Sequence, residues 1–348
     1  MLLRQKAHIR FVKSIAIASV VSACGIQPLI AQTTTPAVGS VEAQARDIWR
    51  TAMSNNPAST EGCFHASYPS LVWESVECAV GEPRVRPTPR TSEGGASDVT
   101  GNGHDYALGA TGLITAAQGQ FPTVTDVKSE KGVGVAAFGG GGILGPNEYT
   151  LQLNSNANAT TSVCAGHSGC TIWQQFIYSP DYITKGKAAV FIQYWLLNWG
   201  TTACPTGWQD ASGSCVRNSA SVVAPDLKIT DLGDMALDGQ AAAGGNDIVT
   251  FYNGTEAYAV TAKDNVVKLG TVWTEAEFNV VGNAGGSRAD FNKGVTIYVL
   301  VEVQDGSASA PRCLANAGTT GETNNLTLGD CVAGTDNSYP AIEFVEAN

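Results

Sequence analysis

The stretches "TIWQQFIYS" (171–179) and "FIQYWLLNW" (191–199) decide the fold class. In a pleated strand, neighbouring side chains point to opposite faces, so Gln174 and Gln175 of the first stretch must face opposite ways. The second stretch is apolar at every other position on both faces, which predicts a central strand covered on both sides. Both are rich in aromatic and β-branched residues and too short for ordinary helices. Working outward, the same texture recurs in "EYTLQLN", "AAVFIQYWLLNW", "SVVAPDLKIT", "NDIVTFYN", "EAYAVTA", "WTEAEFNVV", "GVTIYVLVEV" and "AIEFVE". From about residue 100 these runs alternate with turns rich in Gly, Ser, Thr and Asn. That pattern predicts an all-β chain, built as a large antiparallel concanavalin-like β-sandwich.

The N-terminal side reads differently. Residues 1–31 carry Arg4, Lys6, Arg10 and Lys13, no acid, and then an apolar run. A basic n-region before an apolar h-region is a secretory signal, too short and interrupted to span a membrane. "VSAC", ending at Cys24, offers a second reading as a lipid-attachment box, which would tether the protein at Cys24. Residues 32–99 follow: the apolar spacing of Val41–Asn56 predicts a short helix, "GCFHASYPSLVWESVEC" is bracketed by two cysteines, and "GEPRVRPTPRTSEGGASD" reads as an exposed linker. This segment is also a candidate propeptide, and residues 100–348 form the sandwich domain.

The 348-residue chain has a formal charge of −11, and loss of residues 1–31 makes it −15. An acidic surface argues against nucleic acid and anionic membranes as partners. Secretion, or a periplasmic or lipid-anchored location, fits the cysteines. Eight remain beyond Cys24, and 105 pairings of eight are possible. The sequence-local set is expected: Cys63 with Cys78, Cys164 with Cys170, Cys204 with Cys215, and Cys313 with Cys331. The sequence holds no CxxC and four histidines, so no metal or other cofactor is expected. Asp226, Asp234, Asp247 and Asp305 are loop aspartates, read as solvated rather than as a calcium site. "AGHSGC" is G-x-S-G and not a nucleophile elbow. "GVGVAAFGGGGILGP" lacks the Lys-Ser/Thr of a phosphate loop. The sequence points to a monomer.

Two stretches resemble the secreted glutamic peptidases. "TIWQQFIYS" followed by "FIQYWLLNW" is similar to their first catalytic strand, and "WTEAEFNVVGNAGGSRADFNKGVTIYV" to their second catalytic region. The order "WQQFIYSP … YW … CPTGW" also resembles the neprosin-type members. The resemblance spans roughly Glu148 to Val303. It implies a bent sandwich whose concave face carries a Gln and a Glu. The carboxylate would serve as general base on water, and the amide would donate to the oxyanion. It places the glutamine at Gln174. The family's catalytic Glu lies four residues after the Glu of its "AEF" strand, and here that position is Val281. Four strand residues span about 13 Å, so Glu277 can act only if the site is re-sited along the strand. Glu322 in "TGETNNL" and Glu275 are the alternative carboxylates. Trp173, Tyr194, Trp195 and Trp199 are candidates to line a substrate groove, or else they are core packing. The expected function is thus an acid-acting endopeptidase on polypeptide. The alternative is a non-catalytic sandwich that binds glycan or peptide.

Overall fold

The run 171–199 is one long hairpin in a computed structural model that describes residues 38–80, 105–136, 140–315 and 320–348. The leader, with Cys24, lies outside the described residues, as does the Arg-rich linker. In chain order the elements are α1 (Val38–Ser54), β1 (Gly62–Ser67), β2 (Glu74–Val76), β3 (Tyr106–Gly109), β4 (Ala116–Thr125), β5 (Glu130–Gly134), β6 (Gly145–Pro146) and β7 (Tyr149–Ser155). There follow β8 (Thr171–Thr184), β9 (Lys187–Leu197), β10 (Gln209–Asp210), β11 (Cys215–Pro225), β12 (Met235–Ala241), β13 (Asn246–Asn253) and β14 (Glu256–Lys263). The last are β15 (Glu275–Gly282), β16 (Ser287–Phe291), β17 (Thr296–Gln304), β18 (Arg312–Ala315), β19 (Thr323–Asn324), β20 (Thr327–Asp336) and β21 (Tyr339–Ala347).

Two large antiparallel sheets make the sandwich. One has nine strands in the order β2-β1-β14-β13-β12-β4-β17-β21-β20, the other eight in the order β10-β11-β9-β8-β7-β15-β3-β18. A small sheet, β19-β16-β5-β6, adjoins them and contains the parallel pair β16–β19. The four sequence-local disulfides form as expected.

Side-chain alternation fixes the layers. Ile172, Phe176 and Tyr178 of β8 point between the sheets, where Tyr178 stacks on Phe251 of β13 with ring centroids 4.0 Å apart. Ala276, Phe278 and Val280 of β15 do the same. The sheets approach closely enough that two glycines are required. A Cβ at Gly119 would lie 1.9 Å from the Phe278 ring, and one at Gly239 2.5 Å from Phe176. On the other face of β8 and β9, Trp173, Trp195, Ile177 and Phe191 are also buried, under loop residues such as Ala157, Ala211 and Ile143. The hairpin is therefore covered on both sides, as its composition predicts.

The helix starts earlier than the spacing predicts and ends at Ser54, ahead of Pro57. Its Trp49 and Met53 pack on Ala236, Tyr252 and Ala257, on the outer face of the nine-stranded sheet. β1 pairs with β14 along its whole length. The sheet thus begins ahead of residue 100: β1 and β2 are its edge strands, and just beyond them Ala79 bridges to Ser221 of β11 in the eight-stranded sheet. Among the described residues, no helix is long and apolar enough to cross a membrane.

Candidate functional site

Gln174 and Gln175 part company at the backbone. Gln174 points between the sheets, where its Nε2 donates to Asp247 Oδ2 of β13 at 3.1 Å and its own Oε1 is buried without a partner. Burial, and next the charge of Asp264, push the Asp247 carboxyl well above the carboxylate range. Gln174 is thus an interior amide on the face opposite Glu277. Val281, where the resemblance places the family's glutamate, and Glu277, the re-sited substitute, thus both lie on the face away from Gln174, because a one-residue offset in a strand reverses the face.

Gln175 takes the other face, and there a polar row crosses the eight-stranded sheet. Gln193 of β9, Gln175 of β8, Asn154 of β7 and Glu277 of β15 lie in register. Gln175 Nε2 donates to Gln152 Oε1 and to Asn154 Oδ1, both at 3.0 Å. Asn154 Nδ2 passes the chain on to Glu277 Oε2 at 2.8 Å. Trp195 Nε1 holds the row from one side, donating to Gln175 Oε1 at 3.2 Å and Gln193 Oε1 at 3.1 Å. Glu277 closes the other side with Asp105, which precedes β3. The Asp105 carboxyl is pushed well above the usual range, first by burial, then by the charge and hydrogen bond of Glu277. Asn279 Nδ2 bonds Asp105 and also Glu346 Oε1. Burial and the charge of Asp105 likewise raise the Glu346 carboxyl.

Burial and the neighbouring Glu277 together favour the protonated form of Asp105. The row therefore joins neutral amide donors to a carboxyl pair that can hold or accept one proton. Gln175 and Glu277 are 0% and 2% exposed, so the row is enclosed.

The other sequence-derived candidates fall elsewhere. Glu322 is buried, but its bonds run to the Gly286 backbone and to Thr320, beside β16 and β19. Glu275 shares the face of Glu277 at the start of β15 and is half-buried. Val281 is buried on that face too, paired with Thr150. Trp173, Tyr194 and Trp195 are 2%, 1% and 0% exposed and line no open groove. Their role is packing, and for Trp195 also orientation of Gln175. Trp199 stacks on His167 at 3.3 Å. Of the four aspartates read as solvated loop residues, Asp247 is instead a buried residue of strand β13 that meets Gln174, while Asp226 accepts from the Asp181 backbone, the Asp234 backbone accepts from Gly254, and Asp305 accepts from Thr111 and Gly112. Sequence reasoning missed Gln175, Asn154 and Asp105. Only register could have found the first two, and Asp105 sits 172 positions before Glu277 in a loop without a motif.

No family model matches the chain, and no curated protein matches it. Among solved structures, a scytalidoglutamic peptidase crystallised with a peptide-based transition-state analogue is similar at 12% identity and a TM-score of 0.33. That match covers 72% of this chain and 98% of the other.

Proposed function

We propose that the protein is a secreted glutamic-peptidase-like sandwich that cleaves polypeptide in acid, with Gln175 and Glu277 as the working pair. One observation carries this reading: Gln175, Asn154, Glu277 and Asp105 form a continuous amide–carboxyl row on one face. Glu277 would take a proton from water as the water oxygen attacks the scissile carbonyl, then return it to the leaving amine. Gln175 Nε2 would donate to the oxyanion, exchanging its bond to Gln152 or Asn154 for one to the substrate. Asp105, by sharing a proton with Glu277, would set the acid limb of the pH profile. The carboxylate is then re-sited to Glu277, and Val281 has no chemical part.

Enclosure of the row favours a second reading, a sandwich that binds a peptide or glycan without chemistry. One experiment separates them. The purified protein is incubated with an unfolded, labelled polypeptide from about pH 2 to 8, before and after standing in acid. Cleavage on the acid side, lost in Gln175→Ala and Glu277→Gln and kept in Gln174→Ala, supports the peptidase. Absence of cleavage by a folded sample at every pH, or full activity in both variants, overturns it.

A further inference from the structure

A second amide–carboxyl row lies on the opposite side of the molecule, and it is open. Asp238 of β12, Gln118 of β4 and Glu302 of β17 are neighbours in register on the outer face of the nine-stranded sheet. They floor a cleft of ≈490 Å³ walled by α1 and by the β20–β21 turn. Gln118 Nε2 donates to Asp238 Oδ1 at 2.7 Å. Asp238 is 2% exposed; its Oδ2 makes no hydrogen bond of good geometry, although Ser54 and the buried Tyr252 hydroxyl lie close enough to favour its ionised form. On the helix wall, Arg50 donates to Gln120 Oε1 at 2.6 Å. Among the described residues lining the cleft, Asp47, Asp238, Glu302, Asp336 and Glu343 face a single cation, Arg50.

The spacing limits what such a site can hold. Gln118 separates Asp238 from Glu302, so the two carboxyl-bearing strands are about 9–10 Å apart. A divalent ion needs its oxygens within about 2.0–2.6 Å and cannot be shared across that gap. Among the described residues, no three His, Cys, Asp or Glu are arranged to hold a metal. A long side chain whose positive charge is spread over several N–H groups, as in a guanidinium, fits better. Its methylenes can lie along Leu300, which also lines the cleft on the face of Glu302. Its N–H groups can then reach both carboxylates, and the Gln118 oxygen, whose amide hydrogen is already given to Asp238.

We propose that this cleft binds the guanidinium group of a basic polypeptide side chain, with Glu302 and Asp238 as its anionic partners. The site is independent of the Gln175–Glu277 row and of the peptidase reading.

The electrostatics agree. Burial, then the charges of Asp336 and Asp238, push Glu302 up to about 8, while Arg50 pulls the other way. Burial and Asp336 likewise raise Glu343, and burial raises Asp238 against the pull of Gln118 and Arg50. A bound cation reverses the balance. Glu302 ionises, a proton is released to solvent, and affinity rises as pH climbs towards 8.

The test is calorimetric titration of the purified protein with Nα-acetyl-arginine amide and with its neutral citrulline counterpart. It is run in two buffers of different ionisation heat. The arginine probe is expected to bind about tenfold or more tightly than the citrulline one, the scale of a charge-assisted hydrogen bond. Binding in slightly acidic buffer should release protons. Glu302→Gln and Asp238→Asn, each checked for folding by melting, should each lose about tenfold or more, and Glu302→Gln should also lose the proton release. Glu277→Gln should bind like the parent. Equal binding of the two probes, no binding of the arginine probe at millimolar concentration, or undiminished binding by folded Glu302→Gln would overturn the proposal. Loss of binding in Glu277→Gln would also overturn it, by moving the site to the other sheet.

Discussion

Gln174 and Gln175 are adjacent in the chain and separated by the thickness of a sheet in function. Gln174 is the donor to a buried Asp247, and removing it strands that acceptor. Gln174→Leu should therefore lower stability by about 1–3 kcal/mol, read as a lower Tm, and leave the pH profile of any cleavage where it was. Gln175→Leu should do the reverse: cleavage falls to background while the melting point moves less. The same two variants giving the opposite pattern would return the oxyanion role to Gln174. That the two amides face opposite ways was legible in the strand period. Which of them faces the enclosed polar row was not, because β8 is apolar on both faces, with Ile172 and Phe176 on one and Trp173 and Ile177 on the other. Periodicity identifies a face only when one side is wet. Glu277 was legible from the "AEF" strand, whereas Asp105 reaches it from a loop that no short-range pattern marks.

At the scale of elements, the sequence marks the apolar strands and hides the amphipathic ones. β8, β9, β13, β14, β15 and β17 are all legible as hydrophobic runs. β4, at the heart of the nine-stranded sheet, is not: "AAQGQFPTVT" contains a glycine, a proline and two glutamines. Each has a structural reason. Gln118 and Gln120 face the open cleft. Pro122, which cannot donate to a ladder, lies where the pairing with β17 shifts register. Gly119 leaves room for Phe278 of the facing sheet. Gly119→Ala should thus destabilise by about 1–3 kcal/mol or more, as overpacked cores do. Phe278→Leu alone should also destabilise, by loss of packing. Their combination should cost less than the sum, because the smaller side chain frees the space the methyl needs. Denaturant melts of the four proteins measure this directly, and strict additivity would mean that Phe278 is not what excludes a side chain at 119.

For the whole molecule the dominant feature is the number of carboxyls buried against one another rather than against cations. Asp105, Asp247 and Glu346 are held well above the ordinary range, each first by burial. Glu130 and Glu148 are raised to about 8, burial leading in both, then Glu148 acting on the first and Asp181 on the second. Asp226 is raised to about 6 by burial and by Asp181. Asp305 runs the other way: burial is outweighed by hydrogen bonds from Ser307, Thr111 and Gly112, which bring it to about 2. A carboxyl whose folded value exceeds its unfolded one binds more protons folded than unfolded. It therefore stabilises fully below the unfolded value, about 4, and that stability drains away as pH rises through the folded value. With folded values of about 6 and about 8, the loss falls between roughly pH 4 and 8. The growing negative charge of the acidic chain adds to it. Calorimetry should accordingly find the highest Tm near pH 4 and a decline of several degrees by pH 8, the reverse of ordinary acid denaturation. Glu130 is the cleanest probe, since burial dominates its shift and neither carboxyl oxygen makes a side-chain hydrogen bond. Glu130→Gln removes its titration, so the variant should flatten the upper part of the curve and change little near pH 4. A Tm that instead rises from pH 4 to 8 would mean that these carboxyls are ionised in the fold, and the acid-side chemistry assigned to Glu277 would lose its setting.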